Sequence, residues 1–183
     1  MIDMPMDDTP SDSGLLLVFT GNGKGKTTSS LGLAMRFLGH GEKVAMVQFI
    51  KGKWKTGERE AAKLFGDLFE FHVMGRGFTW KSDDKAKDIA LARKGWQLAK
   101  GIIARGDHSL VILDELTYLM KYGMVEEREV VDVLRGRPLH VHVAVTGRDA
   151  GKLLCDAADM VTEMLEIKHH YHSGVKAGKG IEF

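Results

Sequence analysis

Thr20-Gly21-Asn22-Gly23-Lys24-Gly25-Lys26-Thr27-Thr28 decides how the chain is read. An apolar, strand-like run from Leu15 to Phe19 leads into it, and an apolar-periodic stretch from Leu31 to Leu38 leads out. Strand, glycine-rich turn and helix start together are the setting of a P-loop. The glycines let successive backbone N–H groups converge on one point, where the helix N-terminus adds partial positive charge. Lys26 then neutralises phosphate oxygens, and the Thr27 hydroxyl completes the shell of a Mg²⁺ ion. The expected ligand is a nucleoside triphosphate.

The spacing is unusual. The standard pattern places four residues between its first glycine and Gly-Lys-Thr. Here Gly21 and Gly25 enclose three, and Thr20 stands where the first glycine would be. A shorter loop holds phosphates in an altered position. By itself this leaves two readings open: drift in an ordinary NTPase loop, or chemistry other than γ-phosphoryl transfer.

Around this loop, apolar runs and helical patterns alternate. Strands are expected at 15–19, 44–50, 69–74, 110–113, 141–146 and 160–167, with helices near 27–38, 58–64, 82–105, 125–134 and 149–157. The longest helix opens on a Ser82 cap with Asp83 and Asp84 in its first turn. Ile89, Ala92, Trp96, Ala99 and Ile103 mark its buried face. Alternation of this kind predicts an α/β fold: a mostly parallel six-stranded sheet flanked by helices, P-loop NTPase-like and RecA-like. Functional residues are then expected just beyond the carboxyl ends of the strands.

A chain of 183 residues with 44% hydrophobic residues makes one ordinary domain, expected over 15–183 behind a flexible, acidic tail at 1–14. Lys and Arg number 26 against 25 Asp and Glu, which argues against nucleic acid or an acidic membrane as the main partner. No apolar run approaches the ~20 residues that span a bilayer, and Met1–Ser13 has no basic residue to make a signal or transit peptide. The lone cysteine, Cys155, suits a reducing cytoplasm and reads as a small buried residue among Leu153, Leu154 and Ala157.

Leu110-Val111-Ile112-Leu113-Asp114-Glu115 is the second strong signal. An apolar strand ending in two acids puts a carboxylate at the sheet edge beside the phosphate loop, the Walker-B arrangement that holds Mg²⁺. Spacing does not say which of Asp114 and Glu115 touches the ion. Arg36, in the P-loop helix, is open between a solvated residue and a phosphate contact. Gly75-Arg76-Gly77-Phe78-Thr79-Trp80 places two large aromatics on a glycine-rich loop, either covering something flat and apolar or plugging the core. Lys51, Lys53 and Lys55 around Trp54 read as a solvated loop. His140 and His142 share one strand face without a carboxylate or cysteine to complete a metal set. His169-His170-Tyr171-His172 reads as a polar strand-exit loop. Asn22 is the only asparagine, so the Asn-Lys-x-Asp guanine-reading motif is absent and ordinary small GTPases are excluded.

Taken in order, several motifs resemble the bacterial ATP:corrinoid adenosyltransferases. They are Phe19 to Thr28, Val47-Gln48-Phe49-Ile50-Lys51-Gly52, Gly57-Glu58-Arg59, Gly77-Phe78-Thr79-Trp80 and Leu113 to Tyr118. Thr146-Gly147-Arg148, Lys168-His169, Gly174-Val175-Lys176-Ala177 and Gly180-Ile181 extend the likeness to nearly everything from Leu15 to Phe183.

The resemblance implies transfer of the 5′-deoxyadenosyl group of ATP to the Co(I) of a reduced corrinoid, with triphosphate released, in adenosylcobalamin synthesis or salvage. It implies ATP bound in reverse by Gly21, Asn22, Gly23, Lys24, Gly25, Lys26, Thr27, Thr28 and Arg36, with Mg²⁺ or Mn²⁺ held by Thr27 and Glu115 or Asp114. Lys26, Arg36 and Glu115 are the implied catalytic residues. Phe78 and Trp80 match residues that press on the lower corrin face, displacing an axial ligand so that Co(II) is more easily reduced. Cobalt comes with the substrate. A reduced flavoprotein as electron donor and a homodimer are further implications. Relatives often carry a longer N-terminal segment over the nucleotide, whereas an acidic tail of about a dozen residues precedes the first strand here. That leaves open what shields ATP and Co(I), a partner subunit being one candidate.

Overall fold

The strands of this computed structural model are β1 (Leu16–Thr20), β2 (Val44–Gln48), β3 (Phe69–Val73), β4 (Leu110–Asp114), β5 (His142–Thr146) and β6 (Met160–Glu163). Of these, β1, β2, β4 and β5 share one design, an apolar interior followed by a polar residue at the carboxyl end, whereas β3 alternates and ends on Val73. The structure describes residues 13–52, 56–75, 77 and 85–182. β2 and β4 are buried along their whole length, as continuous apolar runs covered on both faces must be. The sheet runs β3-β2-β4-β5-β1-β6, and every pairing is parallel rather than mostly so.

Register sets the polar ends level. Gln48 pairs with Asp114, and Phe19 with Thr146, so Thr20, Gln48, Asp114 and Thr146 form one polar edge above an apolar sheet. Helices α1 (Lys26–Gly39) and α2 (Gly57–Ala62) cover one face. There Ala34, Leu38 and Ala62 pack on Leu17, Met46, Ile112 and Ala144. Helices α3 (Lys85–Arg105), α4 (Leu116–Lys121), α5 (Glu127–Arg135) and α6 (Lys152–Ala157) cover the other. Their Trp96, Ile102, Leu119, Leu134 and Leu154 pack on Val18, Val47, Leu113 and Val145. Each such fully buried side chain contributes roughly 1.5–3 kcal/mol of burial energy. No helix among the described residues is long and apolar enough to cross a membrane.

Several expectations shift. On α3, Ala92, Trp96, Ala99 and Ile103 are buried as expected, but Ile89 is exposed and Ile102 takes a core place. The Ser82 cap lies outside the described residues, as do residues 1–12 of the tail. α2 stops at Ala62 and passes into a 3₁₀ turn, Lys63–Leu68, broken by non-helical Gly66. Cys155 is half-buried, and burial raises its thiol pKa above the usual value. His140 is not on β5: it lies in the preceding turn and bonds to the Gly106 carbonyl. His142 accepts the Leu15 N–H at 3.0 Å, which ties β5 to the start of β1.

Candidate functional site

The loop between β1 and α1 is an anion cradle by geometry. Gly25 caps α1 at φ 122°, a backbone state that L side chains rarely adopt. Among the described residues no side chain caps the helix, and its first turn holds no acid of its own, so its N-terminal N–H groups are left without a side-chain acceptor. Lys26 is buried and donates to the carbonyls of Gly21 (2.7 Å) and Gly23 (2.8 Å). Burial lowers its pKa and Arg148 lowers it further, while Glu115 pulls the other way.

The neighbouring acids play different parts. Asp114 is fully buried, and hydroxyls and an amide occupy its oxygens. Thr27 Oγ1 and Thr146 Oγ1 each donate to Oδ1 at 2.8 Å, and Gln48 Nε2 donates to Oδ2 at 3.0 Å. Thr146 Oγ1 also accepts the Glu115 N–H at 3.0 Å. Glu115 itself sits in the left-handed region (φ 66°) as the cap of α4 and lines the cavity. Left-handed backbone at a non-glycine residue costs about 1–3 kcal/mol and collects at functional sites. Burial, and then the charge of Asp114, push the Glu115 carboxyl up to about 7. Hydroxyl and carboxylate oxygens from Thr27 and these acids are the hard donor set that suits Mg²⁺ or Mn²⁺.

A cavity of about 1030 Å³ opens over this edge. Asn22, Gly23, Lys24, Gly25, Lys26, Thr27, Thr28 and Glu115 line it together, so the structure gathers most of the sequence-predicted set. Arg36 is not brought there: it is exposed in the last turn of α1, ten residues beyond Lys26 and so ~15 Å along the axis. Phe78 and Trp80 lie outside the described residues, as do Lys53, Trp54 and Lys55, although Gly77 borders the cavity.

Sequence reasoning gave no role to much of the remaining wall. Lys51, expected in a solvated loop, instead lines the cavity and pairs with Glu58 at 2.8 Å. Burial opposes the Lys51 charge, but Asp114 and Glu58 outweigh it and hold its pKa above the usual range. The Thr56 hydroxyl beside them is buried without a partner among the described residues. Tyr118, Arg148 and the C-terminal residues His169, Ala177, Gly180, Ile181 and Glu182 complete the enclosure. Lys51, Arg148 and His169 follow the ends of β2, β5 and β6, which is the signal that would have found them.

The same arrangement of elements occurs in the crystal structure of flagellar accessory protein FlaH from Methanocaldococcus jannaschii. It is 15% identical with a TM-score of 0.58, covering 88% of this chain and 78% of that one, a likeness of fold alone. Sequence relatives are nearer. The corrinoid adenosyltransferase of Pseudomonas aeruginosa is 45% identical over 183 residues, covering 100% of this chain and 90% of that protein. That of Sinorhizobium sp is 46% identical over 174 residues, covering 94% and 81%. That of Escherichia coli K12 is 43% identical over 182 residues, covering 100% and 92%. The family model described as ATP:corrinoid adenosyltransferase BtuR/CobO/CobP matches residues 12–183, and the chain belongs to that family.

Proposed function

We propose that this chain transfers the 5′-deoxyadenosyl group of ATP to the Co(I) of a reduced corrinoid, releasing triphosphate, in the making of adenosylcobalamin. One observation carries the reading: a shortened anion loop opens onto a cavity of about 1030 Å³ that continues to the Lys51–Glu58 wall. That is at the upper end of small-molecule sites, with room for a nucleotide and part of a second substrate.

The cobalt electron pair forms a bond to C5′ as the C5′–O bond breaks, and the electrons of that bond leave on the triphosphate. Only interactions that strengthen as charge moves onto the leaving group speed this step. The N–H groups at the start of α1 with the Lys26 ammonium are fixed at that end of the cavity before any charge develops. Lys26 is poorly hydrated because it is buried, so its attraction for the departing anion is less damped than in water. Lys24 and Thr28 add contacts at the rim of the loop. Mg²⁺ or Mn²⁺, held by Thr27 and Glu115, supplies neutralising charge for the triphosphate. Glu115 is the direct ligand in this reading and Asp114 the residue that orients Thr27, since the Asp114 oxygens are already engaged.

Phe78 and Trp80 bear on the corrin and favour its reduction, with a reduced flavoprotein as electron donor. Arg36 contacts phosphate only if the helix end is brought nearer, so it is the weakest member of the set. Residues 15–183 work as one domain, a view supported by the pairing of β1 with β6 across the chain's length. The protein acts as a cytoplasmic homodimer.

The test is product analysis after incubation with ATP, Mg²⁺ and chemically reduced cobalamin. Adenosyl transfer yields a light-sensitive Co–C bond and inorganic triphosphate; ADP with orthophosphate would sink the proposal. Phe78→Ala and Trp80→Ala are expected to slow reactions begun from Co(II) more than those supplied with Co(I). Equal losses would remove the aromatic role.

A further inference from the structure

The C-terminal segment carries a second group of ligating side chains, separate from Thr27, Asp114 and Glu115. Six residues past β6, His169 and His170 open a 3₁₀ turn at His170–Ser173, and the chain after it brings Glu182 back beside them. One ligating atom from each of His169, His170 and Glu182 lies within 4.8 Å of the others, and all three residues are half-buried. His170 Nε2 is 3.6 Å from Glu182 Oε1, too far for a hydrogen bond. That Oε1 atom is buried and has no hydrogen-bond partner among the described residues. His169 Nδ1 accepts the Tyr171 N–H at 3.2 Å, so a metal on His169 takes that Nδ1 lone pair in place of the backbone N–H.

We propose that His169, His170 and Glu182 form a site for a divalent transition metal of the zinc class at the rim of the large cavity. Two imidazoles and a carboxylate are borderline donors that favour Zn²⁺, Co²⁺ or Ni²⁺ over Mg²⁺. Three protein ligands leave a fourth position, and because His169 and Glu182 line the cavity, a water or phosphate oxygen there can fill it. The other oxygen of Glu182 accepts from Lys24 at 2.8 Å. A cation on Oε1 withdraws charge from that pair and frees the Lys24 ammonium for an anion in the loop. The metal therefore couples the C-terminal segment to the phosphate grip.

The experiment needs neither ATP nor corrinoid, so its outcome is independent of the proposed reaction. Zn²⁺ is titrated calorimetrically into the full chain and into His170→Ala, Glu182→Gln and His172→Ala. Losing an outer partner of a metal ligand already costs ~10–100-fold in affinity, so His170→Ala and Glu182→Gln are expected to weaken one class of site at least tenfold. His172→Ala should bind as the parent does, since His172 pairs with Glu166 instead. Co²⁺ added in place of zinc should give visible ligand-field bands that His170→Ala lacks. Equal affinity and stoichiometry in the parent, His170→Ala and Glu182→Gln would overturn the assignment, as would cobalt bands unchanged by His170→Ala.

Discussion

Two regions meet at the cavity, and they are built differently. On one side, β4 is buried at every position, ends on Asp114 and leads directly to Glu115, while β1 feeds the loop that holds Lys26. On the other, β6 is exposed at all four positions and leads into a segment with Leu165, Ile167, Tyr171 and Ile181 exposed. The first side has the packing that fixes side chains to within fractions of an ångström; the second has the sparse burial of elements that open locally. Beyond the β1–β6 ladder, the seam between them is narrow. Gly23 N–H donates to the Met164 carbonyl at 2.7 Å, Met164 N–H donates to Thr20 at 2.9 Å, and Lys24 pairs with Glu182. In the proposed reaction the anion is held by the tightly packed side and covered by the sparsely packed one, so substrate enters without disturbing the charges that act on it.

If that division holds, damage to the grip should abolish turnover while leaving the cover and the fold in place. Lys26→Ala is expected to have the largest effect: a loss of at least ~10² in kcat, the scale of removing one preorganised donor to a developing anion. Circular dichroism and the melting temperature should change little. A variant retaining more than a tenth of parental turnover would show that the loop does not carry the leaving group.

Damage to the seam should do the reverse. A Cβ on Gly23 would stand 2.6 Å from the Leu165 carbonyl oxygen and 2.8 Å from that of Met164, both backbone atoms that cannot step aside. Gly23→Ala is therefore expected to cost about 1–3 kcal/mol, as overpacking does. The C-terminal segment should become more open to proteolysis than α3 or β4. Uniform loss of protection across the chain would mean that the two sides are one cooperative unit.

The buried side also stores a cost that pH reveals. In the unfolded chain Glu115 ionises near 4.5, but in the folded protein only near 7, because burial and Asp114 oppose its charge. Between those values the folded form binds the extra proton, so stability from this group falls as pH rises, and above about 7 the full cost is present. Glu115→Gln should raise the melting temperature of the ligand-free protein at pH 8, with the gain shrinking toward pH 4.5. The same variant should lose metal-dependent ATP binding. A melting difference independent of pH would dissociate Glu115 from the shift.

What the sequence revealed follows the same division. The loop, the acid-terminated strand and the alternation of elements are local patterns, and local patterns survive into the buried centre: Lys26, Thr27 and Glu115 stand together as expected. α4 escaped notice because Leu116–Lys121 is six residues long and follows an apolar strand without a conventional cap. β6 ends at Glu163 rather than Ile167 because the chain after it turns over the loop, leaving Leu165 and Ile167 apolar but exposed. Lys51 pairs locally with Glu58, yet Asp114, the charge that most favours its ammonium, lies 63 positions away. Glu182 reaches Lys24 across 158 positions, which no periodicity encodes.

Lys24→Ala is the finest probe of the seam, since it cuts the outermost link and leaves the backbone bonds of Gly23 and Met164 untouched. Lys24 and Glu182 are partly exposed, at 38% and 24%, so screening limits their bond to about 0–1 kcal/mol. At ~2–4 °C per kcal/mol for a chain of this size, the melting temperature should fall by less than about 4 °C. Two effects on ATP then add: a phosphate contact is lost, and the Glu182 carboxylate, no longer paired with an ammonium, repels the anion. The expected result is a small rise in KM for ATP with kcat nearly unchanged, because Lys24 stands at the rim of the loop rather than beneath it. A fall in kcat as large as that of Lys26→Ala would place Lys24 within the rigid grip, and the boundary between the two regions would have to be drawn one residue further out.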